Sequence, residues 1–291
     1  MTLNRPPAGR DPAVVAAAQV ACRLGLGETQ PRVLAVGGDI VIALEPLPII
    51  ARVGPLLTDR QLAGQRRVIP PPLQVELAAY AAARGGPVVS PLPGAGAGPH
   101  VIGELTVTLR ERSPNHPITP AAVGRSLRRL HEVIAGFGGD LPSFDRRPDA
   151  RRIAEELPAS AHETAVILRA TCDAYQPTDL PNQPLHGDVH IGNALGGASG
   201  PQWNDFEYAC SGPIEWDLAG AAHRATVFGE QVDQTRALLA AYGDDAADRD
   251  LVLTDAVGLH MAAQTAGALD ARPALRPLAE RRLEWVRQRL G

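Results

Sequence analysis

The chain has 291 residues, 45% of them hydrophobic and 21% charged, which are the proportions of a globular protein with a sizeable core. Its 28 basic and 32 acidic residues give a net charge of -4, which argues against a nucleic-acid partner because such partners require a basic surface. All the basic residues are Arg, so any phosphate contact that usually falls to Lys must be made here by Arg or be absent.

The cysteines and the apolar runs indicate the compartment. Cys22, Cys172 and Cys210 are far apart in sequence and predict neither a disulfide framework nor a zinc site. The first residues lack the charged and then apolar pattern of a signal peptide. No apolar run approaches the length of about 18 residues that crosses a bilayer. We therefore expect a cytoplasmic protein with no membrane partner, and its oligomeric state stays open.

The first part of the chain predicts a helix and then a small antiparallel sheet. Asp11-Pro12 is typical of a helix start, and this helix is expected to end near Leu24. Short aliphatic runs separated by turn residues predict a three-stranded meander, with strands at residues 33–36, 40–44 and 49–53. A main helix is expected over Leu73–Arg84, followed by one or two further strands over Val101–Leu109.

Beyond Pro117 the apolar periodicity changes to about 3.6 residues, which predicts helices. They are expected at Pro120–Phe137, Ala150–Tyr175 with a break at Pro158, Ile214–Thr226, Gln231–Tyr242, Leu251–Leu269 and Pro273–Leu290. A small, mostly β region followed by a large helical region predicts an α+β protein with two lobes, residues 1–109 and 110–291.

Two short stretches concentrate the residues that carry chemistry: Leu185–Asn193, with the sequence LHGDVHIGN, and Trp203–Glu207, with the sequence WNDFE. Phosphoryl transfer requires a carboxylate that orients the attacking hydroxyl and accepts its proton, together with metal ligands that help to neutralise the phosphate charge. Asp188 can supply that carboxylate. Asn193 and Asp205 offer amide and carboxylate oxygens, the ligands that Mg²⁺ prefers. A tight loop and a hairpin are expected to bring these three side chains together.

The order of these motifs resembles that of a known family. His186-Gly187-Asp188 with Asn193, followed by Asp205-Phe206-Glu207, resembles the aminoglycoside phosphotransferase and choline kinase-like family, and is also similar to the catalytic and metal loops of protein kinases. Further segments resemble the family in the same order along most of the chain: residues 48–53, 85–89, 127–131 and 212–219.

The resemblance implies a bilobal protein-kinase-like fold with a different task for each lobe. Residues 1–109 are expected to form a small antiparallel β lobe with one main helix that binds the nucleotide. Residues 110–291 are expected to form a larger, mostly helical lobe with the catalytic loop, the metal loop and the acceptor site.

The resemblance also implies a role for individual residues. Carried over position by position, it makes Asp188 the catalytic base and makes Asn193 and Asp205 the ligands of Mg²⁺. Three further residues are expected to support the catalytic loop: His186, His190 and Asp217.

The nucleotide-binding residues are expected in the first lobe. The turn Gly37-Gly38-Asp39 would cover the phosphates, and Arg52 stands where protein kinases carry a phosphate-contacting Lys. On the main helix, the position that usually carries the Glu partner of that cation holds Gln74, and Glu76 is the nearest acid. Because residues two apart on a helix point about 200° apart, only one of them could face Arg52, and which one does so stays open.

The leading hypothesis is an enzyme that transfers the γ-phosphoryl group of ATP or GTP, with Mg²⁺, to a hydroxyl of a small molecule. The resemblance implies an aminoglycoside or another amino-alcohol as acceptor. Two alternatives stay open. His186, Asp188 and His190 could bind a transition metal in a metal-dependent hydrolase. Gln74 and Arg52 would also fit a nucleotide-binding pseudo-enzyme that acts as an interaction protein.

Overall fold

The computed structural model describes residues 11–56, 68–174, 181–243, 265 and 276–290. The chain divides into two compact units, one formed by residues 1–117 with 195–208 and the other by residues 118–194 with 209–291. The predicted lobe boundary after residue 109 stays a prediction. The expected helix Leu251–Leu269 lies outside the described residues except for Thr265, which is helical.

The first unit contains an antiparallel sheet of five strands in the order β1-β2-β3-β5-β4. The strands are β1 (Gln30–Val36), β2 (Ile40–Glu45), β3 (Ile49–Pro55), β4 (His100–Ile102) and β5 (Leu105–Glu111). The predicted meander and both later strands are therefore present. Arg52 lies in the central strand β3, where it is opposite Val41 of β2 and Thr108 of β5.

The first helix, α1 (Pro12–Arg23), packs an alanine-rich face on this sheet. It begins as predicted, because the Asp11 carboxylate accepts a hydrogen bond from the backbone N–H of Ala13 at 2.9 Å and a Pro follows at the first helical position. Val20 of the helix and Leu44 and Leu109 of the sheet are fully buried in the shared core.

The main helix of the first unit, α2 (Pro71–Ala83), ends before Gly85, whose φ of 67° is the left-handed conformation that favours glycine after a helix. A hairpin of β7 (Ala194–Gly197) and β8 (Gly200–Trp203) returns to the segment that follows this helix. The backbone of Trp203 donates to Pro87 at 2.7 Å and accepts from Val89 at 2.9 Å, so the end of β8 is fixed beside the sheet.

The second unit is mostly helical, as predicted. Its described helices are α3 (Pro120–Ile134), α4 (Arg147–Glu156), α5 (His162–Ala174), α6 (Glu215–Phe228), α7 (Val232–Tyr242) and α8 (Arg276–Leu290). The predicted break at Pro158 separates α4 from α5. Helices α3 and α7 are in close contact at Gly124, where an added Cβ would lie 2.1 Å from the carbonyl oxygen of Leu238.

Two short strands that the sequence did not predict, β6 (Gln183–Leu185) and β9 (Cys210–Gly212), pair with each other in the second unit. Leu185 and Cys210 are buried with Trp216, the second residue of α6. This cluster fixes the point at which the chain leaves β6. In the part of the chain that the structure describes, no helix has the length and apolar character needed to span a membrane.

Candidate functional site

The loop that follows β6 is anchored by a buried carboxylate. Asp217, near the start of α6, is only 1% exposed, and its two oxygens accept hydrogen bonds from the backbone N–H groups of His186 and Gly187, both at 2.8 Å. Gly187 has a φ of 81°, so the chain turns here in a conformation that a side chain would strain. The loop after β6 therefore has a defined backbone before it reaches Asp188.

The anchoring carboxylate belongs to a longer buried chain of hydrogen bonds. Nε2 of His131, on α3, lies 3.0 Å from Oδ2 of Asp217, and Nδ1 of the same ring lies 2.8 Å from the hydroxyl of Tyr242 at the end of α7. Since the carboxylate accepts from Nε2, a neutral His131 accepts from Tyr242 at Nδ1. Three helices of the second unit thus converge on the loop. His131 is the last residue of the segment 127–131 that resembles the family, but no role was predicted for it.

Asp188 is oriented by its own loop. The Nδ2 of Asn193 donates to the backbone carbonyl of Asp188 at 2.9 Å and to its Oδ2 at 3.1 Å, and the backbone N–H of Asp188 donates to Nδ1 of His186 at 3.3 Å. Nε2 of His190 lies 3.6 Å from the same Oδ2. The structure therefore brings three other predicted residues, Asn193, His186 and His190, close to Asp188. With Nδ2 used in this way, the amide oxygen of Asn193 is the atom left to meet a metal.

The two loop histidines are poorly placed as metal ligands. Nδ1 of His186 accepts from the backbone of Asp188, and Nδ1 of His190 accepts from Gly192 at 3.1 Å. A neutral imidazole that accepts at Nδ1 carries its proton on Nε2, so neither ring directs a lone pair outward. In the described ranges, no group of three His, Cys, Asp or Glu side chains converges as a metal site would require. This geometry argues against the hydrolase alternative.

In the first unit, one cation organises the predicted metal loop. Arg52 donates from Nε to Asp39 at 2.6 Å, from Nη1 to Asp205 at 2.5 Å and from Nη2 to Glu207 at 2.8 Å. Asp205 has a φ of 69°, a left-handed conformation that Asp tolerates better than most residues, and it precedes the short 3₁₀ turn Phe206–Tyr208. Burial alone would lower the pKa of Arg52, but the charges of the three carboxylates raise it above its ordinary value.

Contacts of Arg52 differ from the expected ones. The sequence left open whether Gln74 or Glu76 pairs with this cation, and the structure shows neither arrangement. Gln74 donates instead to the carbonyl of Ile69 at 2.8 Å, and Glu76 is exposed. Glu207 supplies the carboxylate for Arg52, since the expected helix position holds Gln74 and Glu76 faces away into solvent. That contact joins residues 155 positions apart, which spacing along a helix cannot reveal.

The turn Gly37-Gly38-Asp39 connects β1 and β2 and bends toward Arg52 through the Asp39 contact. Gly54 makes this approach possible, because a Cβ at that position would lie 2.1 Å from Oδ1 of Asp39. Arg52 and Gln74 also line a small pocket whose walls are otherwise largely apolar, including Val75, Ala78, Val89, Leu109 and Phe206.

Arg110, the second-last residue of β5, lines the same pocket, and no role was predicted for it from the sequence. Its Nη1 donates to Oδ1 of Asn204, and its Nε is buried with no hydrogen-bond partner among the described residues. Burial, and then the positive charge of Arg52, lower the pKa of Arg110 to about 10, against the opposing effect of Asp205. The first unit therefore places two guanidinium groups beside the predicted metal loop.

The second unit contains a larger cavity, of about 510 Å³, which reaches Asp188. Its described lining is formed by Pro120, Asp188, Val189, His190, Ile191, Gly192, Gly220, Ala221, His223, Arg224, Gln231, Gln234, Thr235, Leu238 and Arg282. A volume of this size lies within the range of about 300–1,000 Å³ that is typical of small-molecule sites. The sequence placed an acceptor site in this half of the chain but could not name the residues on α6, α7 and α8 that form it.

The fold is that of the protein-kinase-like phosphotransferases. A family model described as "Phosphotransferase enzyme family" matches residues 56–252, and the chain belongs to that family. The predicted family and the α+β fold class are thereby confirmed. The individual site residues stay predictions.

Three relatives illustrate the likeness. Thiamine kinase of Escherichia coli O1:K1 / APEC is 40% identical over 76 residues, which span 26% of this chain and 26% of that protein, so the match covers about a quarter of the curated relative. Amicoumacin kinase hAmiN, solved with AMP-PNP, Ca²⁺ and Ami, is 14% identical with a TM-score of 0.67, covering 94% of this chain and 95% of that one. A choline/ethanolamine kinase family protein from Mesorhizobium loti is 18% identical with a TM-score of 0.64, covering 94% and 93%.

Proposed function

We propose that the protein transfers the γ-phosphoryl group of ATP or GTP, with Mg²⁺, to a hydroxyl group of a small molecule. The observation that carries this proposal is the position of Asp188, which is fixed by the Asp217-anchored loop and lines a cavity of small-molecule size. A carboxylate held in this way can orient an acceptor hydroxyl and take its proton as the phosphoryl group leaves the nucleotide.

Asn193 and Asp205 would hold the metal, each through an oxygen. Nδ2 of Asn193 is engaged by Asp188, which leaves Oδ1 as a neutral ligand, and Oδ1 of Asp205 accepts from Arg52, which leaves Oδ2. Hard oxygen atoms of these two kinds fit Mg²⁺. The metal would supply neutralisation of phosphate charge. That the two residues act on one ion is inferred from the order of the motifs in the sequence, and AMP-PNP with Ca²⁺ in the amicoumacin kinase structure supports a nucleotide and divalent-ion pair.

The nucleotide would bind in the first unit. The apolar pocket walls offer a surface for a base, and Arg52 and Arg110 lie where positive charge would attract phosphates. Gly37, Gly38 and Asp39 would cover the phosphates. Because Asp39 occupies Nε of Arg52, a nucleotide phosphate that binds Arg52 would compete with this carboxylate. Gln74 and Glu76 are then left without a direct contact to this cation.

The acceptor implied by the sequence is an aminoglycoside or another amino-alcohol. Similarity to an amicoumacin kinase and to a choline/ethanolamine kinase family protein supports beginning an acceptor screen with such compounds. A cytoplasmic location and the lack of a nucleic-acid partner stay expectations from the sequence.

The first test separates nucleotide binding from chemistry. Thermal unfolding is measured with ATP, GTP or no nucleotide, with and without Mg²⁺, for the wild type, Asp205→Asn and Glu207→Gln. A ligand at about 100 times its Kd adds about 2.7 kcal/mol to the free energy of unfolding, which raises the midpoint by about 5 °C in a chain of this size. We expect a Mg²⁺-dependent rise that Asp205→Asn abolishes.

Glu207→Gln is the matched control, because both substitutions remove one carboxylate partner of Arg52 but only Asp205 is a proposed metal ligand. Equal losses of the Mg²⁺-dependent rise in the two variants would show that Asp205 only supports Arg52 and does not bind the metal. Asp188→Asn should keep the rise and lower turnover by about 100-fold or more. Nucleotide binding without turnover toward any acceptor would instead favour the pseudo-enzyme.

A further inference from the structure

The cavity beside Asp188 has an unusual charge for a site expected to take an amino-alcohol. Among its described lining residues, Asp188 is the one carboxylate, whereas Arg224 and Arg282 are both cationic. Asp188 is already bonded to Asn193 and is the group proposed to meet a hydroxyl. A cationic acceptor would therefore find two guanidinium groups and no second acid on the described walls.

The two arginines are not equivalent. Arg224, on α6, is 57% exposed and forms an ion pair with Glu230 at 2.8 Å. Glu230 also lies 3.6 Å from Arg281, so one carboxylate is shared by two exposed guanidinium groups. Arg282, on α8, is only 7% exposed, and no carboxylate within the described ranges forms an ion pair with it.

Arg282 is also incompletely hydrogen-bonded. Its Nε is buried and has no hydrogen-bond partner among the residues that the structure describes. Burying a guanidinium without a carboxylate or full hydrogen bonding costs stability, and folded proteins rarely retain such a group in their interiors. Burial, and then the charge of Arg224, lower the pKa of Arg282 to about 10, so the group remains charged at neutral pH.

Neutral polar groups form another part of the cavity wall. Gln231, Gln234 and Thr235 lie at the start of α7 and line the cavity. Gln231 has a φ of 56°, a left-handed conformation that is strained for a residue with a side chain and that concentrates at functional sites. Amide and hydroxyl groups of this kind suit the remaining polar groups of a hydroxylated ligand.

We propose that the acceptor carries an oxyanion, a carboxylate or a phosphate, which Arg282 binds while a hydroxyl of the same molecule meets Asp188. This inference rests on the proposed function, since it assigns the cavity to the acceptor. A guanidinium binds carboxylate and phosphate through two parallel N–H bonds, which would balance the charge of Arg282 and fix the orientation of the ligand. A purely cationic amino-alcohol would leave Arg282 unsatisfied and would be repelled by it.

The test uses four three-carbon probes that differ in charge: glycerol, 3-amino-1,2-propanediol, glycerate and glycerol 3-phosphate. Binding to the full-length protein is measured by titration calorimetry without nucleotide. We expect glycerate or glycerol 3-phosphate to bind at least about 10-fold more tightly than glycerol or the amine, because hydrogen bonds between charged groups are the strong ones. The tighter of the two oxyanions identifies whether carboxylate or phosphate is the natural group.

Variants assign the preference to Arg282. Arg282→Met should abolish the preference for oxyanions, and Arg282→Lys, which keeps the charge but loses the paired donors, should retain part of it. Arg287→Met is the matched control, since Arg287 lies on the same helix, contacts Glu163 and does not line the cavity. A wild-type protein that shows no preference for oxyanions, or an Arg282→Met variant that keeps the full preference, overturns the inference.

Failure of this inference is distinguishable from failure of the proposed function. Phosphoryl transfer to the amine probe without any preference for oxyanions would remove the anionic acceptor and leave the phosphotransferase intact. Binding of oxyanions that requires Arg282, in a protein whose turnover is unchanged by Asp188→Asn, would keep the anion site and remove the proposed catalytic base.

Discussion

Nη1 of Arg52 lies 2.5 Å from Oδ1 of Asp205, so a strand of the five-stranded sheet holds the predicted metal-binding carboxylate directly. The geometry explains how a chain without Lys can build this region. A guanidinium has donors that point in several directions, and Arg52 uses three nitrogens for three carboxylates, whereas one ammonium group presents all its donors from a single atom. Glu207, in the motif that also supplies Asp205, takes the place of a carboxylate at the position of Gln74 on α2.

The first prediction concerns this cluster. Arg52→Lys should lower the free energy of unfolding by about 2 kcal/mol, because an ammonium group cannot satisfy three partly buried carboxylates at once. Urea unfolding of the two proteins measures the difference. Arg32→Lys is the control, since Arg32 bonds Glu45 through two nitrogens on an exposed surface, where such pairs contribute little to stability. Equal losses in the two variants would show that the three contacts of Arg52 add no stability.

The second prediction concerns the anchor of the catalytic loop. In the wild type, the two carboxylate oxygens of Asp217 accept hydrogen bonds from His186, Gly187 and His131. Asp217→Asn leaves only one side-chain oxygen, so at least one of these buried N–H groups loses its acceptor. We expect a loss of about 2–3 kcal/mol in the free energy of unfolding. Because the loop positions Asp188, kcat should also fall while the KM for the nucleotide stays within about two-fold.

Two comparisons make the role of Asp217 specific. Tyr242→Phe removes one hydrogen bond to His131 and should cost about 1 kcal/mol, with a smaller effect on kcat. Asp233→Asn, on α7, changes a side chain that is 93% exposed and should have almost no effect on either quantity. A normal kcat in a folded Asp217→Asn variant would contradict the positioning role.

Much of the fold followed from local chemistry that the sequence displays. Asp11-Pro12 starts α1 where it was expected, and Pro158 separates α4 from α5, because caps and prolines act through their immediate neighbours. The strands β6 and β9 were missed, since they are three residues long and become strands only by pairing with each other. A segment of three residues is too short to show the alternation of apolar and polar residues that predicts a strand.

The candidate site, like the fold, was predictable where its residues are close together in the sequence. The loop around Asp188 could be found because its residues follow one another and match the family in order. The contact between Arg52 and Glu207 joins positions 155 residues apart, and the burial of Arg282 depends on how α8 packs in the second unit. Neither the spacing nor the type of these residues distinguishes them from the other arginines and acids, so they required the structure.

A third prediction tests the contact between α3 and α7. Gly124→Ala should lower the free energy of unfolding by about 2–4 kcal/mol, because the added methyl group would lie 2.1 Å from a backbone oxygen of Leu238 and the two helices would have to separate. Gly138→Ala is the control, since an added Cβ there meets nothing within 4 Å. Thermal or urea unfolding of both variants measures the difference, and a fully stable Gly124→Ala protein would show that the helices move apart easily.

The last prediction concerns the stability cost of Arg282 in the absence of ligand. Arg282→Met should raise the free energy of unfolding at pH 7 by about 1–3 kcal/mol, because an apolar side chain of similar length replaces a buried cation without a described carboxylate partner. Replacing a buried group that is retained for binding commonly raises stability and lowers function. Arg287→Met should bring no such gain, since Arg287 is half exposed and contacts Glu163.

The pH dependence of that gain follows from the pKa of Arg282, which burial lowers to about 10 in the folded protein, well below the ordinary value of an arginine. Below pH 10 both states are protonated and the folded state carries the full cost of the buried charge. Above about pH 10 the unfolded state binds more protons than the folded state, so the cost is progressively relieved as pH rises. The advantage of Arg282→Met over the wild type should therefore be constant from pH 7 to 9 and shrink above pH 10. Unfolding in urea at pH 7, 9 and 10.5 measures it, with Arg287→Met compared at each pH, and an Arg282→Met protein less stable than the wild type at pH 7 would show that Arg282 serves the fold and not a ligand.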